Sequence, residues 1–448
     1  MSQSPEALAA RLLQAAKEAG ADAADAMTLQ GTSLSIEVRA GTLEQAERAE
    51  AIDLGLRVFV GQRSATVSAS DARDATLQEM AMRAVAMARE APEDAFAGIA
   101  AEEQLIDTAD ATHLELADPA PEPSPSSLQE DAATAEAAAL ENENITQVQS
   151  ASAGYSSRDI HLAASNGFSG GYRRTSRGLS CVAIAGTGTG MERDYDGDSR
   201  TFQADLRSAA EIGARAAERA VARLDARKPP TGTFPVLFDE RISASLIGHL
   251  LVAINGSSVA RGASWLRDAL GTAVLPATLS LVEDPHRPRV SGSRPFDAEG
   301  LPTARRTIID GGVLTGWTLD LATGRKLGFP STGNAARGTS SAPSPSSWNV
   351  TLSQGSASRD DLIRDMGTGL LVTSMIGSTI NPNTGDYSRG AAGLWVENGE
   401  ITHAVNECTI AGNLRDMLRS VVPANDARQH LSRVVPSLLV PGMTLAGT

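Results

Sequence analysis

Residues 367–413 read GTGLLVTSMIGSTINPNTGDYSRGAAGLWVENGEITHAVNECTIAGN, and this stretch decides what kind of domain the C-terminal half can form. Gly369-Leu370-Leu371-Val372 and Gly393-Leu394-Trp395-Val396 are short apolar runs of strand type. Glu397-Asn398-Gly399-Glu400 follows the second run, and its central Asn-Gly suits the positive φ values of a type I′ hairpin turn. Between the runs, Gly385-Asp386-Tyr387-Ser388-Arg389-Gly390 predicts a polar loop flanked by glycine. Such a loop, held between buried strands, presents hydrogen-bonding groups to a ligand. Asp386, Tyr387, Ser388, Arg389 and Gly390 are therefore candidate binding residues. The same composition also fits a β-meander corner that needs glycine for geometry alone.

Working outward, residues 229–448 have the texture of a β-rich domain, with short strands, frequent Gly, Ser and Pro, and one embedded helix over Arg241–Ile254. Asp225-Ala226-Arg227-Lys228-Pro229-Pro230 marks its start. Asp118-Pro119-Ala120-Pro121-Glu122-Pro123-Ser124-Pro125 is a second, semi-rigid joint. These divide the chain into 1–117, 118–228 and 229–448. In the first part, Ser4-Pro5-Glu6 opens a helix with Leu8, Leu12, Leu13 and Ala16 on one face. Alternation then predicts strands over 33–38, 54–60 and 64–68, and Ser70 or Asp71 caps a second helix that stops before Pro92. The central part reads as a helix from Ser126 or Ser127 to Asn142, strands at 145–155, 159–164 and 178–186, and a helix over 202–224. The expected class is α+β throughout.

Composition narrows the function. The chain has 448 residues, too many for one small core, and its 42% hydrophobic and 21% charged content is that of a globular protein. A net charge of −15 opposes a broad phosphate-binding surface, so neither nucleic acid nor an acidic membrane is an expected partner. The N-terminal segment has no basic and apolar leader pattern, and no run reaches membrane-spanning length; a cytoplasmic location is the expectation. Two cysteines, Cys181 and Cys408, suggest no disulfide framework, which predicts buried thiols.

The chemical motifs are sparse. Gly167-Phe168-Ser169-Gly170-Gly171 has the spacing of a nucleophile elbow, but a strand rather than a helix should follow it, so it reads as a turn. Asp194-Tyr195-Asp196-Gly197-Asp198 has misplaced glycine and no closing glutamate for a calcium loop, and reads as an acidic turn. His249 lies mid-helix among Leu246, Ile247, Leu250 and Leu251. A zinc-peptidase helix needs two histidines on one face and a glutamate to activate the bound water, and His249 has neither companion. His113, His161, His286, His403 and His430 show no ligand spacing. No metal is expected from these residues. His249 fits either a core histidine bonded to a backbone carbonyl or a catalytic group.

The chain resembles the TldD/PmbA family, which has carried the label of DNA gyrase modulators, and within it the PmbA (TldE) branch. The resemblance runs over nearly the whole length. It is carried by Gly55-Leu56-Arg57-Val58-Phe59-Val60-Gly61, Ser165-Asn166-Gly167-Phe168-Ser169-Gly170-Gly171-Tyr172 and Arg193-Asp194-Tyr195-Asp196. In the last domain it rests on Gly248-His249-Leu250-Leu251, Val259-Ala260-Arg261-Gly262, Ser331-Thr332-Gly333-Asn334-Ala335, Gly385–Gly390 and Thr409-Ile410-Ala411-Gly412-Asn413-Leu414.

The resemblance implies one subunit of a cytoplasmic zinc-dependent peptidase. In it, a TldD-type and a TldE-type chain pair around a cavity that takes unfolded peptides in extended form. The TldD-type chain holds zinc with a His-Glu-x-x-x-His helix and a cysteine near its C-terminus. Here Leu250 and Ile254 replace the glutamate and second histidine if His249 is the first. In the earlier register, Gly248, His249 and Ala253 fill the three places, and Val434–Leu439 has no cysteine. The expectation is a TldE-type subunit without zinc, the metal lying on a TldD-type partner, with self-association as the other possible pairing. Peptide would meet Asp386–Gly390 by strand addition, and Arg389, Arg261 and Asn334 through side chains; Asp386 and Arg389 could equally pair with each other. A chain that hydrolyses peptides alone through His249, and a regulatory protein acting on gyrase, are the alternatives.

Overall fold

The computed structural model of the protein describes residues 4–447. Helix α1 (Pro5–Glu18) starts where Ser4 Oγ accepts the Ala7 N–H at 3.2 Å, and it buries Leu8, Leu12, Ala15 and Ala16. Strands β1 (Ala23–Arg39), β2 (Thr42–Val60) and β3 (Arg63–Ala69) form an antiparallel meander. Both of the first two are longer than the apolar alternation suggests; in β2 the added stretch, Thr42–Asp53, is mostly exposed strand. Helix α2 (Asp74–Glu90) completes this layer over Leu54, Leu56 and Val58. Its cap position is Arg73, not Ser70 or Asp71. Asp71 instead accepts from the Arg73 N–H and the Thr76 hydroxyl, bracing the helix start from outside.

Helix α3 (Pro125–Leu140), strands β4 (Ile145–Ala164), β5 (Ser169–Ala185) and β6 (Glu192–Arg200), and helix α4 (Ala209–Val221) follow. β1 pairs with β4 from Asp25 to Val38, so both halves share one six-stranded sheet, ordered β3-β2-β1-β4-β5-β6. β4 is one continuous strand where two were expected, since β1 and β5 supply partners along its whole length. Residues 202–208 lie outside α4, which begins only at its Ser208 cap. The Asp194–Asp198 segment is also a correction: it is strand β6, not a turn. Its buried acids are neutralised from afar, Asp196 by Arg219 at 2.5 Å and Arg207 at 2.8 Å, Asp194 by Arg241 at 3.2 Å. Those arginines remove the reason a local acidic run would stay in solvent.

In the C-terminal half, strands β7 (Gly232–Phe238), β8 (Gly369–Ile380), β9 (Asp386–Glu397), β10 (Glu400–Asn413) and β11 (Leu438–Ala446) hydrogen-bond in the order β10-β9-β8-β7-β11, and β11 returns to pair with β10. The ring is a closed barrel filled by Phe238, Leu370, Val372, Trp395 and Leu445. Asn398 (φ 54) and Gly399 (φ 79) make the β9–β10 turn, as the Asn-Gly pair requires. Helix α5 (Glu240–Ala253), capped by Asp239, follows β7 and packs its leucines into the same core; the short α6 (Gly256–Ala260) continues from it. A second small sheet is made of Leu281–Glu283, Arg306–Asp310, Val313–Leu314, Val350–Leu352 and Arg433–Val434. The class is α+β, with a β-rich C-terminal region.

The first sheet docks on the C-terminal half through buried charge and close backbone contact. Asp25 of β1 receives Arg57 Nε at 2.7 Å and also bonds Arg337, whose side chain is wholly buried. Beside them Gly55 meets the Thr339 carbonyl; a Cβ there would sit 2.3 Å from that oxygen, so only glycine allows the approach.

Candidate functional site

Asp386–Gly390 is a strand, where the composition suggested a loop. The turn is Asn381–Gly385, closed by a Gly385 N–H to Asn381 carbonyl bond of 2.8 Å, and Gly385 takes the positive φ of 83. From Asp386 onward β9 pairs with β8 on one side and β10 on the other. Its backbone is therefore spent, and a peptide cannot add to it as a new strand. Any recognition here belongs to side chains.

Strand alternation divides the candidate residues. Tyr387 is buried and Arg389 half-buried on the side that faces α5, whereas Asp386 and Ser388 face the other way. Asp386 accepts from Thr384 Oγ1 at 2.6 Å and Asn413 Nδ2 at 3.0 Å, which hold its carboxyl below the usual range. Arg389 Nε donates to the Gly377 carbonyl at 2.7 Å. The two do not pair with each other.

α5 brings His249 to Tyr387 and Arg389. The imidazole stands edge-on to the Tyr387 ring, 5.9 Å between centroids, and Tyr387 Oη lies 3.3 Å from Met375 Sδ. His249 Nε2 is buried with no hydrogen-bond partner, so the carbonyl expected to satisfy that nitrogen is not there. Burial, then the nearby Arg389 charge, push the histidine below its ordinary value and keep it neutral at neutral pH. Burial pushes the Tyr387 phenol up to about 12. The cluster thus offers a fixed cation, a neutral imidazole with a free ring nitrogen, and an un-ionised phenol.

The remaining candidates lie elsewhere. Asn334 is wholly buried; its Nδ2 donates to Glu283 Oε1 at 3.0 Å and the Ser346 carbonyl at 2.9 Å, and its Oδ1 accepts from Thr332 at 2.7 Å. An amide so fully engaged holds loops together and has nothing left for a ligand. Arg261 is the exposed residue after α6, and its guanidinium has no partner among the described residues. The segment beyond it packs Trp265 over Gly385, 3.4 Å from where a Cβ there would be. Cys408 donates to the Ala391 carbonyl at 3.2 Å, and burial pushes its thiol up to about 11. Among the described residues no group of three or more His, Cys, Asp or Glu side chains is placed to hold a metal ion, and no helix is long and apolar enough to cross a membrane.

One buried cluster had no sequence signal. Asp297 and Glu299 sit side by side in the interior, both pushed well above the carboxylate range by burial and, for Glu299, by Asp297. In sequence they are two ordinary acids in a polar loop; only docking of 335 and 321 against them encloses the pair.

Comparison with known proteins gives one consistent answer. Residues 24–88, 118–224 and 231–447 match, in order, domain 1, the central domain and the C-terminal domain of the PmbA/TldA metallopeptidases. The chain is 38% identical to the metalloprotease PmbA of Escherichia coli O157:H7, over 95% of this chain and 92% of that one. It is 36% identical to a metalloprotease PmbA homolog of Haemophilus influenzae, over 97% and 94%. Among solved structures, a candidate modulator of DNA gyrase from Bacteroides thetaiotaomicron superposes with a TM-score of 0.91 at 28% identity, covering 99% and 98% of the two chains. TldE from Thermococcus kodakarensis superposes at 0.84 over 98% and 100%, with 20% identity, a likeness of fold alone.

Proposed function

Since the chain belongs to the PmbA/TldD family of metallopeptidases, we propose that it acts in the cytoplasm as the TldE-type subunit of a two-chain peptidase, binding unfolded peptide while a TldD-type partner holds the zinc. The observation that carries this reading is the surroundings of His249. A zinc site needs several anionic or neutral ligands around one point. Here the only imidazole on α5 faces a tyrosine that stays protonated and lies near the guanidinium of Arg389. A divalent cation would be repelled at the place where the histidine itself is kept uncharged. Zinc does not fit these residues, and no step through it is derived for this chain.

What the cluster suits is binding. Arg389 can take a peptide carboxylate or carbonyl, and the unpartnered His249 nitrogen can exchange a hydrogen bond with main chain. Arg261, exposed and without a partner among the described residues, is a second cation for a peptide carboxylate. The purified chain should hold no stoichiometric zinc and cleave no peptide, should associate with a TldD-type chain, and the mixture should do both. Metal and cleavage by the chain alone would overturn the proposal.

A further inference from the structure

A cleft of about 830 Å³ opens where the first sheet meets the C-terminal half. Its floor is the sheet face turned away from α3 and α4. Tyr155 and Leu179 point to those helices, while Ser156 and Arg158 of β4, Arg174 and Ser176 of β5, and Ser199 of β6 point into the cleft. The segments 287–291 and 429–432 form its walls.

The charge in this cleft is not balanced. Arg158 and Arg174 are direct partners in the β4–β5 register, and like charges directly opposite one another destabilise a sheet. Arg174 is held by the carbonyl oxygens of Ser291, at 2.7 Å, and Ser293; Arg287 by those of Leu431, at 3.1 Å, and Gln429. The Arg158 guanidinium has no hydrogen-bond or ion-pair partner among the described residues. Among the described residues none of the three makes an ion pair, whereas Arg200 and Arg289 on the same cleft are matched by Asp198 and by Glu115 with Asp205. His430 faces Asp198, at 3.5 Å, and burial keeps its pKa low. In a chain of net charge −15, three arginines gathered without a carboxylate in ion-pair contact are a local exception; Asp284 acts on Arg287 only from farther off. Carbonyl oxygens fix two of the guanidiniums in orientation but leave their charge in place.

We propose that this cleft is an oxyanion-binding site, with Arg158, Arg174 and Arg287 as its cationic groups; the Ser176 and Ser199 hydroxyls, 3.2 Å apart and bonded to each other, leave one O–H as a further donor. The guanidinium fork matches carboxylate and phosphate alike. The source is the carboxylate of an acidic peptide segment; that assignment rests on the peptide-binding role proposed above, while the oxyanion chemistry does not.

The test is fluorescence anisotropy on the full chain with a short labelled glutamate-rich peptide, its glutamine counterpart, and inorganic phosphate. The acidic peptide should bind about tenfold or more tightly than the glutamine one, and Arg158→Gln should weaken it by about tenfold, since a charge-assisted contact is lost. Ser199→Glu, which places a carboxylate among the arginines, should abolish binding even if Arg158→Gln proves unstable. Binding should also weaken steeply with salt. Equal affinity for the two peptides, or no effect of either variant, overturns the site. Phosphate that binds at ~1 mM or below, without acidic peptide doing so, overturns the peptide assignment. A mixture with a TldD-type chain that cleaves neutral peptides while the cleft binds nothing refutes only this inference. Cleft binding without any cleavage by the mixture refutes only the subunit reading.

Discussion

Replacing Asp25 with alanine should cost more than any surface substitution in this protein, and the cost should be felt in the other half of the chain. Among the described residues Asp25 is the only carboxylate hydrogen-bonded to Arg57 and Arg337, and the side chains are 5%, 9% and 0% exposed. Two nitrogens of Arg337 already lack a partner, so Asp25→Ala leaves that guanidinium buried with none. Removing one member of a buried charge group costs about 3–5 kcal/mol. The exposed pair Arg48–Glu50, at 47% and 71%, should contribute less than about 1 kcal/mol. All four tryptophans, Trp265, Trp317, Trp348 and Trp395, lie in the C-terminal half. Urea unfolding followed by tryptophan fluorescence therefore reports the half that Asp25 does not belong to. The midpoint should fall markedly in the variant. If only far-UV circular dichroism responds, or neither does, the junction does not couple the two halves. The pH dependence follows with its sign. Burial alone would raise the Asp25 pKa, but Arg57 and then Arg337 outweigh it, so the net shift is downward. Its stabilisation is thus complete above the unfolded aspartate value and is lost only as pH falls through the depressed folded one. The gap between wild type and variant should stay constant from neutral pH to about 5 and close only in strong acid.

Glu299 should show the opposite sign. Its folded pKa is raised, so the folded state keeps a proton that the unfolded chain releases, and stability falls as pH rises from the ordinary glutamate range towards that raised value. Glu299→Gln should flatten this slope in urea titrations; a slope unchanged by the variant would show that Glu299 is not its source. Cys408, buried with its thiol near 11, should react with a thiol reagent at pH 8 at least about a hundredfold more slowly in the folded chain than in urea, and fast labelling of the native protein would contradict the packing against Ala391.

How much of this could be read from the chain depends on how local the cause is. The Asn398-Gly399 turn, the Ser4 cap of α1, the helix after Asp239 and the existence of strands around Leu370 and Trp395 all follow from neighbouring residues, and the structure bears them out. Family membership was legible for a different reason, since many short motifs stand in the right order. Two of the errors share one origin. Asp194–Asp198 and Asp386–Gly390 carry turn-like residues, yet both are strands, because register partners far along the chain supply their hydrogen bonds.

Composition and short-range pattern alone determined the α+β class, the net charge of −15, and the isolation of His249 from any second histidine in its helix. Only the tertiary structure decided which groups meet. It set His249 against Tyr387 and near Arg389, sealed Asn334 among carbonyls and acids, seated β9 between β8 and β10 so that it has no free edge, and placed Arg158 opposite Arg174. Side-chain chemistry is local, but burial, pairing and electrostatic environment depend on contacts between segments distant in sequence, and those exist only once the chain has packed.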